Sequence, residues 1–339
     1  MRYLLGCLLF ISLTINAQSG TLLVLNKSDD TVDFVNLADD NRIITLPTGD
    51  GPHEVAVSPD EKIAIITNYG RKYWPGSSLT VIDIPGKKVV KTITLEFKAP
   101  HGIEFIDADR LLVTCEESKK LILVNWKTGK TEGTIDTKQN TSHMVAYSSK
   151  YQRAFVTNIR SGSISVINIK TQMLEKIIPT GEGAEGVSLS ADQSEVWITN
   201  RAQNTITILD TKTLQTKTTL TSEEFPIRAK ATTDGNYVLI SNAKTGDITV
   251  FDARTKKLLK TISMEITVKE KESARLFQDF DNSPVPVGIL ILPDNSKAFI
   301  ANTNADVLTV IDLKKLEISK RIPTGKEPDG LGYSSLKLK

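Results

Sequence analysis

An all-β, seven-bladed β-propeller, each blade a four-stranded antiparallel sheet, is the fold class this sequence predicts, and three observations predict it. An apolar pair followed by a small residue and Asn recurs along the chain, as in Ile65-Ile66-Thr67-Asn68 and Phe155-Val156-Thr157-Asn158. A second apolar run ending in Asp or Asn follows it, as in Val81-Ile82-Asp83 and Val166-Ile167-Asn168. The C-terminal Asp329-Gly330-Leu331-Gly332-Tyr333-Ser334 has the pattern of a blade's first strand, whereas the N-terminal region enters at the second. Pairing of the two ends in one blade is therefore expected to close the ring.

The other copies of the first landmark are Trp197-Ile198-Thr199-Asn200, Leu239-Ile240-Ser241-Asn242 and Phe299-Ile300-Ala301-Asn302, with weaker ones at Leu23-Val24-Leu25-Asn26 and Leu112-Val113-Thr114-Cys115. Their final residues, 26, 68, 115, 158, 200, 242 and 302, are spaced by 42, 47, 43, 42, 42 and 60. Each copy ends with turn residues and a further short strand such as Lys176-Ile177-Ile178 or Lys320-Arg321-Ile322. Four short runs separated by turns form an antiparallel meander. Closing seven of them into a ring removes the exposed edges that an open stack would leave. Residues 18–339 are read as one domain.

The composition agrees with a globular protein. Of 339 residues, 40% are hydrophobic and 24% charged, and 42 Lys+Arg against 40 Asp+Glu leave a net charge of +2. Balanced signs make no broad basic field, so duplex nucleic acid is disfavoured as the main partner. Arg2, the apolar stretch Leu4 to Ile15 and Ala17 before Gln18 read as a signal peptide over residues 1–17, which implies an exported protein, periplasmic or extracellular. No later stretch reaches transmembrane length, and a monomer is expected. Cleavage would remove Cys7 and leave Cys115 alone, at the end of an apolar run where a buried, inert thiol is expected. Gly-x-Ser-x-Gly, a phosphate-binding glycine loop and Cys-x-x-Cys are all missing, so a serine hydrolase, an NTPase and a haem attachment site have no support.

The run Phe155-Val156-Thr157-Asn158, Val166-Ile167-Asn168, Ile178-Pro179-Thr180-Gly181 resembles the YVTN repeat of exported YncE-like seven-bladed propellers over essentially residues 20 to 335. The resemblance implies the fold. Related propellers include binding proteins, surface-layer proteins, lactonases and lyases, so it leaves the activity open.

All three histidines fall in one slot of the repeat. The segments before the innermost strands read Pro52-His53-Glu54, Pro100-His101-Gly102, Ser142-His143-Met144, Ala184-Glu185-Gly186, Pro226-Ile227-Arg228, Pro286-Val287-Gly288 and Pro328-Asp329-Gly330. Around a ring the slot is His, His, His, Glu, Ile, Val, Asp, at one mouth of the central channel. His53, His101, His143 and Glu185 are thus a candidate set for a divalent transition metal such as zinc, copper or iron(II). The same groups suit acid–base work, with His143 and Glu185 as the catalytic pair if the protein is an enzyme.

The loops on that face supply further candidates. Arg160 and Arg201, just after Asn158 and Asn200, and Arg228 at the start of a channel strand are expected to hold an anionic small-molecule ligand. The enlarged loop Tyr69-Gly70-Arg71-Lys72-Tyr73-Trp74-Pro75-Gly76 adds Tyr73 and Trp74 as ligand-binding aromatics, and the insertion at residues 265 to 284 accounts for the spacing of 60. Three classes follow: a propeller binding a metal or anionic ligand at the channel mouth, a lactonase- or lyase-like enzyme using the same cluster, and a scaffold for a protein or cell-envelope partner.

Overall fold

In the computed structural model, residues 19–71, 73–266, 280 and 282–338 are described. The expected signal peptide lies outside the described residues, as do Cys7, Lys72 and most of the insertion at 265 to 284. The described chain forms seven four-stranded antiparallel sheets. Blade 4 is representative, running outward through Ser142–Ser148, Arg153–Asn158, Ser163–Asn168 and Met173–Pro179. The inner strands of blades 2 to 7 are Pro52–Val57, Pro100–Phe105, Ser142–Ser148, Ala184–Leu189, Pro226–Ala231 and Pro286–Ile291. That of blade 1 is Pro328–Ser334, antiparallel to Thr21–Asn26 with Ser334 opposite Thr21.

The burial pattern explains the apolar runs. Middle strands are covered on both faces by neighbouring blades, so Ala154, Phe155 and Val156 are all buried without alternation. Outer strands alternate, as in Lys130–Asp136, because one face meets solvent. The core is a set of interblade layers: Trp197, Ile206 and Ile208 of blade 5 pack against Val238, Ile240 and Phe251 of blade 6.

Two repeated polar devices fix the blades. The landmark Asn ties the second strand to the third: Asn68 Nδ2 donates to Ser78 Oγ and Thr80 Oγ1, and Asn200 Nδ2 to Thr205 and Thr207. The Thr or Ser before it reaches the next blade. Thr67 Oγ1 donates to the carbonyl of His101 at 2.9 Å, Thr114 to that of His143, Thr157 to that of Glu185 and Ser241 to that of Val287. A landmark that looks like a strand signature therefore also sets where the slot residue of the following blade sits.

Candidate functional site at the channel mouth

Each slot residue is aimed by a strained turn. The residue two positions before it has a left-handed backbone in all seven blades, with φ of 58° at Gly51, 55° at Ala99, 59° at Thr141, 77° at Gly183, 63° at Phe225, 54° at Val285 and 54° at Glu327. Only two of these are glycine, and β-branched Thr141 and Val285 pay a steric penalty there. In every blade the carbonyl of that residue accepts the amide of the residue following the first landmark, as in Tyr69 to Gly51, Glu116 to Ala99 and Arg201 to Gly183, each at 3.0 Å. The contact sets a second ring of side chains, Lys27, Tyr69, Glu116, Ile159, Arg201, Ala243 and Thr303, beside the slot ring.

The two rings meet over blades 2 to 5. His53, His101, His143 and Glu185 are all buried. The ring centroids of His53 and His101 are 4.9 Å apart, and those of His101 and His143 are 3.7 Å apart with a 37° tilt. Tyr69 lies 4.5 Å from the His53 ring and donates its hydroxyl to Glu116 Oε2 at 2.6 Å. Glu116 Oε1 is hydrogen bonded to His143 Nδ1. On the other side, His143 Nε2 is 3.4 Å from Glu185 Oε1, outside hydrogen-bonding geometry. Glu185 is held by Arg201 Nη1 at 2.6 Å and approached by Arg228 Nη1 at 3.5 Å, while Arg228 Nη2 reaches Glu54 Oε1 at 2.8 Å.

Charge follows this wiring. Burial and the neighbouring cations hold His53 and His101 well below the usual imidazole range, so both are neutral. Burial also opposes charge on His143, but the Glu116 carboxylate, with Glu185 behind it, outweighs burial and shifts it upward. For Glu185, burial is overcome by Arg201, His143 and Arg228, and its pKa falls to about 2. Asp329, beside His53 in the slot ring, is pushed up to about 7, chiefly by burial.

A cavity of about 620 Å³ opens over this cluster, and its walls include Lys27, His101, Glu116, His143, Arg160 and Arg201. Among the described residues, one set of three or more His, Cys, Asp or Glu side chains brings ligand atoms close enough for a metal ion: His101, Glu116 and His143, within 4.8 Å of one another. This set differs from the expected one. His53 Nδ1 is engaged with the carbonyl of Gly51 at 2.9 Å, and Glu185 is committed to the arginines. The buried nitrogens His101 Nδ1 and His143 Nε2 have no hydrogen-bond partner, which fits a cation-binding donor set.

Glu116 was not visible as a candidate in the slot alignment, because it belongs to the second ring. Its signal is the column after the landmark, where Lys27, Tyr69 and Arg201 also stand. Arg160 and Arg201 are on the pocket wall, whereas Arg228 sits deeper, in the channel. Tyr73 and Trp74 are not brought to the pocket. The pairing of Arg71 with Trp74 extends the hairpin outward and leaves both aromatics 74% exposed at its tip. Cys115 is buried, its thiol pushed up to about 12 by burial.

Residues 12–277, more than half of the chain, match the family described as "Lactonase, 7-bladed beta-propeller". The chain belongs to that lactonase-type propeller family. No curated protein matches it. A similar solved structure, described as the crystal structure of a functionally unknown protein from Desulfotomaculum acetoxidans DSM 771, aligns with a TM-score of 0.74 at 13% identity, covering 93% of this chain and 99% of the other. At that identity the likeness concerns the fold. Within the lactonase-type propeller family, what this chain does is a question for its own channel mouth.

Proposed function

We propose that the channel mouth is the catalytic pocket of a lactone hydrolase whose substrate is a small lactone carrying an anionic group. The observation that carries this reading is His143, oriented through Nδ1 by Glu116 at the floor of a cavity whose wall bears Lys27, Arg160 and Arg201. A carboxylate on one imidazole nitrogen leaves the other for proton exchange. In this reading His143 Nε2 takes a proton from water as the water oxygen bonds to the lactone carbonyl carbon. The ring C–O bond then breaks, and His143 returns the proton to the departing ring oxygen, giving a hydroxy acid. The cations of the wall hold the anionic group, and Arg201 and Arg228 keep Glu185 in place. Membership of a lactonase-type family supports the reaction class.

The test is a panel of carboxylated and phosphorylated lactones offered to the purified protein, with acid release followed at constant pH. Turnover that falls by about a thousandfold in His143→Ala supports the reading. Inactivity toward every lactone size overturns it.

A second reading rests on the unpartnered His101 Nδ1 and His143 Nε2: His101, Glu116 and His143 hold a divalent transition ion such as zinc, copper or iron(II). Such an ion would polarise an ester carbonyl. Stacking of the two imidazoles presents their planes rather than their nitrogens to each other, which makes this the second reading. Elemental analysis decides it: near-stoichiometric metal lost in His101→Ala supports it, and metal-free protein with full activity overturns it. Both readings go with an exported protein cleaved after Ala17, which the mass of the mature N-terminus checks.

A further inference from the structure

The channel does not run through as one space. Arg228 and Glu54, on blades 6 and 2, bridge it with a 2.8 Å ion pair, and both line a further cavity of about 610 Å³ rather than the pocket at the mouth. The walls of this far chamber come from the inner strands. At one register, opposite the middle of each second strand, stand Ala56, Glu104, Ala146, Ser188, Lys230, Leu290 and Gly332. Five of the seven are small or aliphatic. The other two are a carboxyl and an ammonium on blades 3 and 6, as far apart around a seven-membered ring as two positions can be.

Glu104 and Lys230 feel each other's charge across the chamber without forming an ion pair. Glu104 lines the chamber and its hydrogen bond comes from the Tyr147 amide, at 2.8 Å to Oε2. No ion pair joins either residue among the described ones, although ion pairs are abundant at the other mouth. The remaining chamber surface includes Val57, Met144 and Leu189 together with Thr232 and Thr233. Arg228 and Glu54 at its inner end neutralise each other. The chamber therefore has mixed polar and aliphatic walls, with the Glu104 carboxyl and the Lys230 ammonium facing across it.

We propose that the far chamber is a second ligand site, separate from the channel mouth, and that it takes a small zwitterion with an apolar body, such as a branched-chain α-amino acid. The ligand's ammonium meets Glu104 and its carboxylate meets Lys230, while its side chain lies on the aliphatic wall. Charge balance selects the class: an amine leaves Lys230 unanswered and a carboxylic acid leaves Glu104 unanswered.

Titration calorimetry of the full chain with L-leucine, isoamylamine and isovalerate tests this. Leucine is expected to bind, with each singly charged analogue at least tenfold weaker. Glu104→Gln and Lys230→Met should each weaken leucine at least tenfold while still unfolding in a single cooperative transition, and His143→Ala, at the other mouth, should leave leucine binding unchanged. Absence of leucine binding at millimolar concentration, equal affinity for isoamylamine, unchanged affinity in Glu104→Gln, or loss in His143→Ala would each overturn the proposal.

Discussion

Arg228 and Glu54, separated by 174 residues in sequence, face each other across the channel and divide it. Arg228 also approaches Glu185, so one guanidinium answers a carboxylate from each of two blades. Both flanking carboxylates are at most partly exposed, and burial of Arg228 is offset by Glu54 first and Glu185 next.

Removing that guanidinium should be costly, since breaking a buried pair from one side leaves uncompensated charge. Arg228→Met is expected to lower unfolding free energy by about 3 kcal/mol, and Arg228→Met with Glu54→Gln by clearly less. Urea unfolding of the two variants measures the difference. Equal losses would contradict a direct pair.

The interblade tie at Thr114 gives a second expectation. Its hydroxyl donates to the His143 carbonyl and accepts the Gly102 amide at 2.8 Å. Thr114→Val keeps the shape and leaves both buried groups unmatched, so a loss of about 2 kcal/mol is expected. Thr114→Ser should retain most of it. Thermal melts of the two variants side by side check the order.

Glu104 supplies a pH signature. Burial raises its pKa from 4.5 to about 7 in the folded protein. The folded state then binds more protons than the unfolded one between these values, so this group's contribution to stability falls as pH rises from about 4.5 to about 7. Wild type should lose on the order of 2 kcal/mol relative to Glu104→Gln across that window. The comparison with the variant matters because His53 and His101, shifted downward, act in the opposite direction below about 6.5. Parallel urea midpoints of the two proteins at pH 5 and pH 8 would contradict the assignment.

Cys115 is expected to be inert. Its thiol is buried and its pKa is raised to about 12, so thiolate is scarce at neutral pH. Peptide mapping after exposure to a thiol reagent should find it unmodified in folded protein and fully modified in urea.

Much of this was legible in the repeat. A landmark recurring at 42 residues fixes both the number of blades and the slot in which His53, His101, His143 and Glu185 stand. Periodicity carries that information because equivalent positions of a ring lie at equal height and point toward one axis. It carries less about what each side chain then touches. Glu116 follows Cys115, the landmark copy in which Asn is replaced, and it reaches His143 only because the left-handed Ala99 accepts its amide. Glu185 belongs to the slot but is claimed by Arg201 and Arg228, a competition among charges that spacing does not express. Tyr73 and Trp74 share a loop with Tyr69, yet two further rungs of hairpin pairing carry them away from the pocket that Tyr69 lines.

The second ring delivers a carboxylate, Glu116, to His143, and we propose that this pairing serves lactone hydrolysis. The most direct test of that role is kcat/KM of Glu116→Gln for the best lactone substrate, beside wild type. Gln preserves the size but carries no charge to stabilise the imidazolium, so a fall of about a hundredfold or more with an unchanged melting curve is the expected result. Wild-type kcat/KM in a folded Glu116→Gln would contradict it.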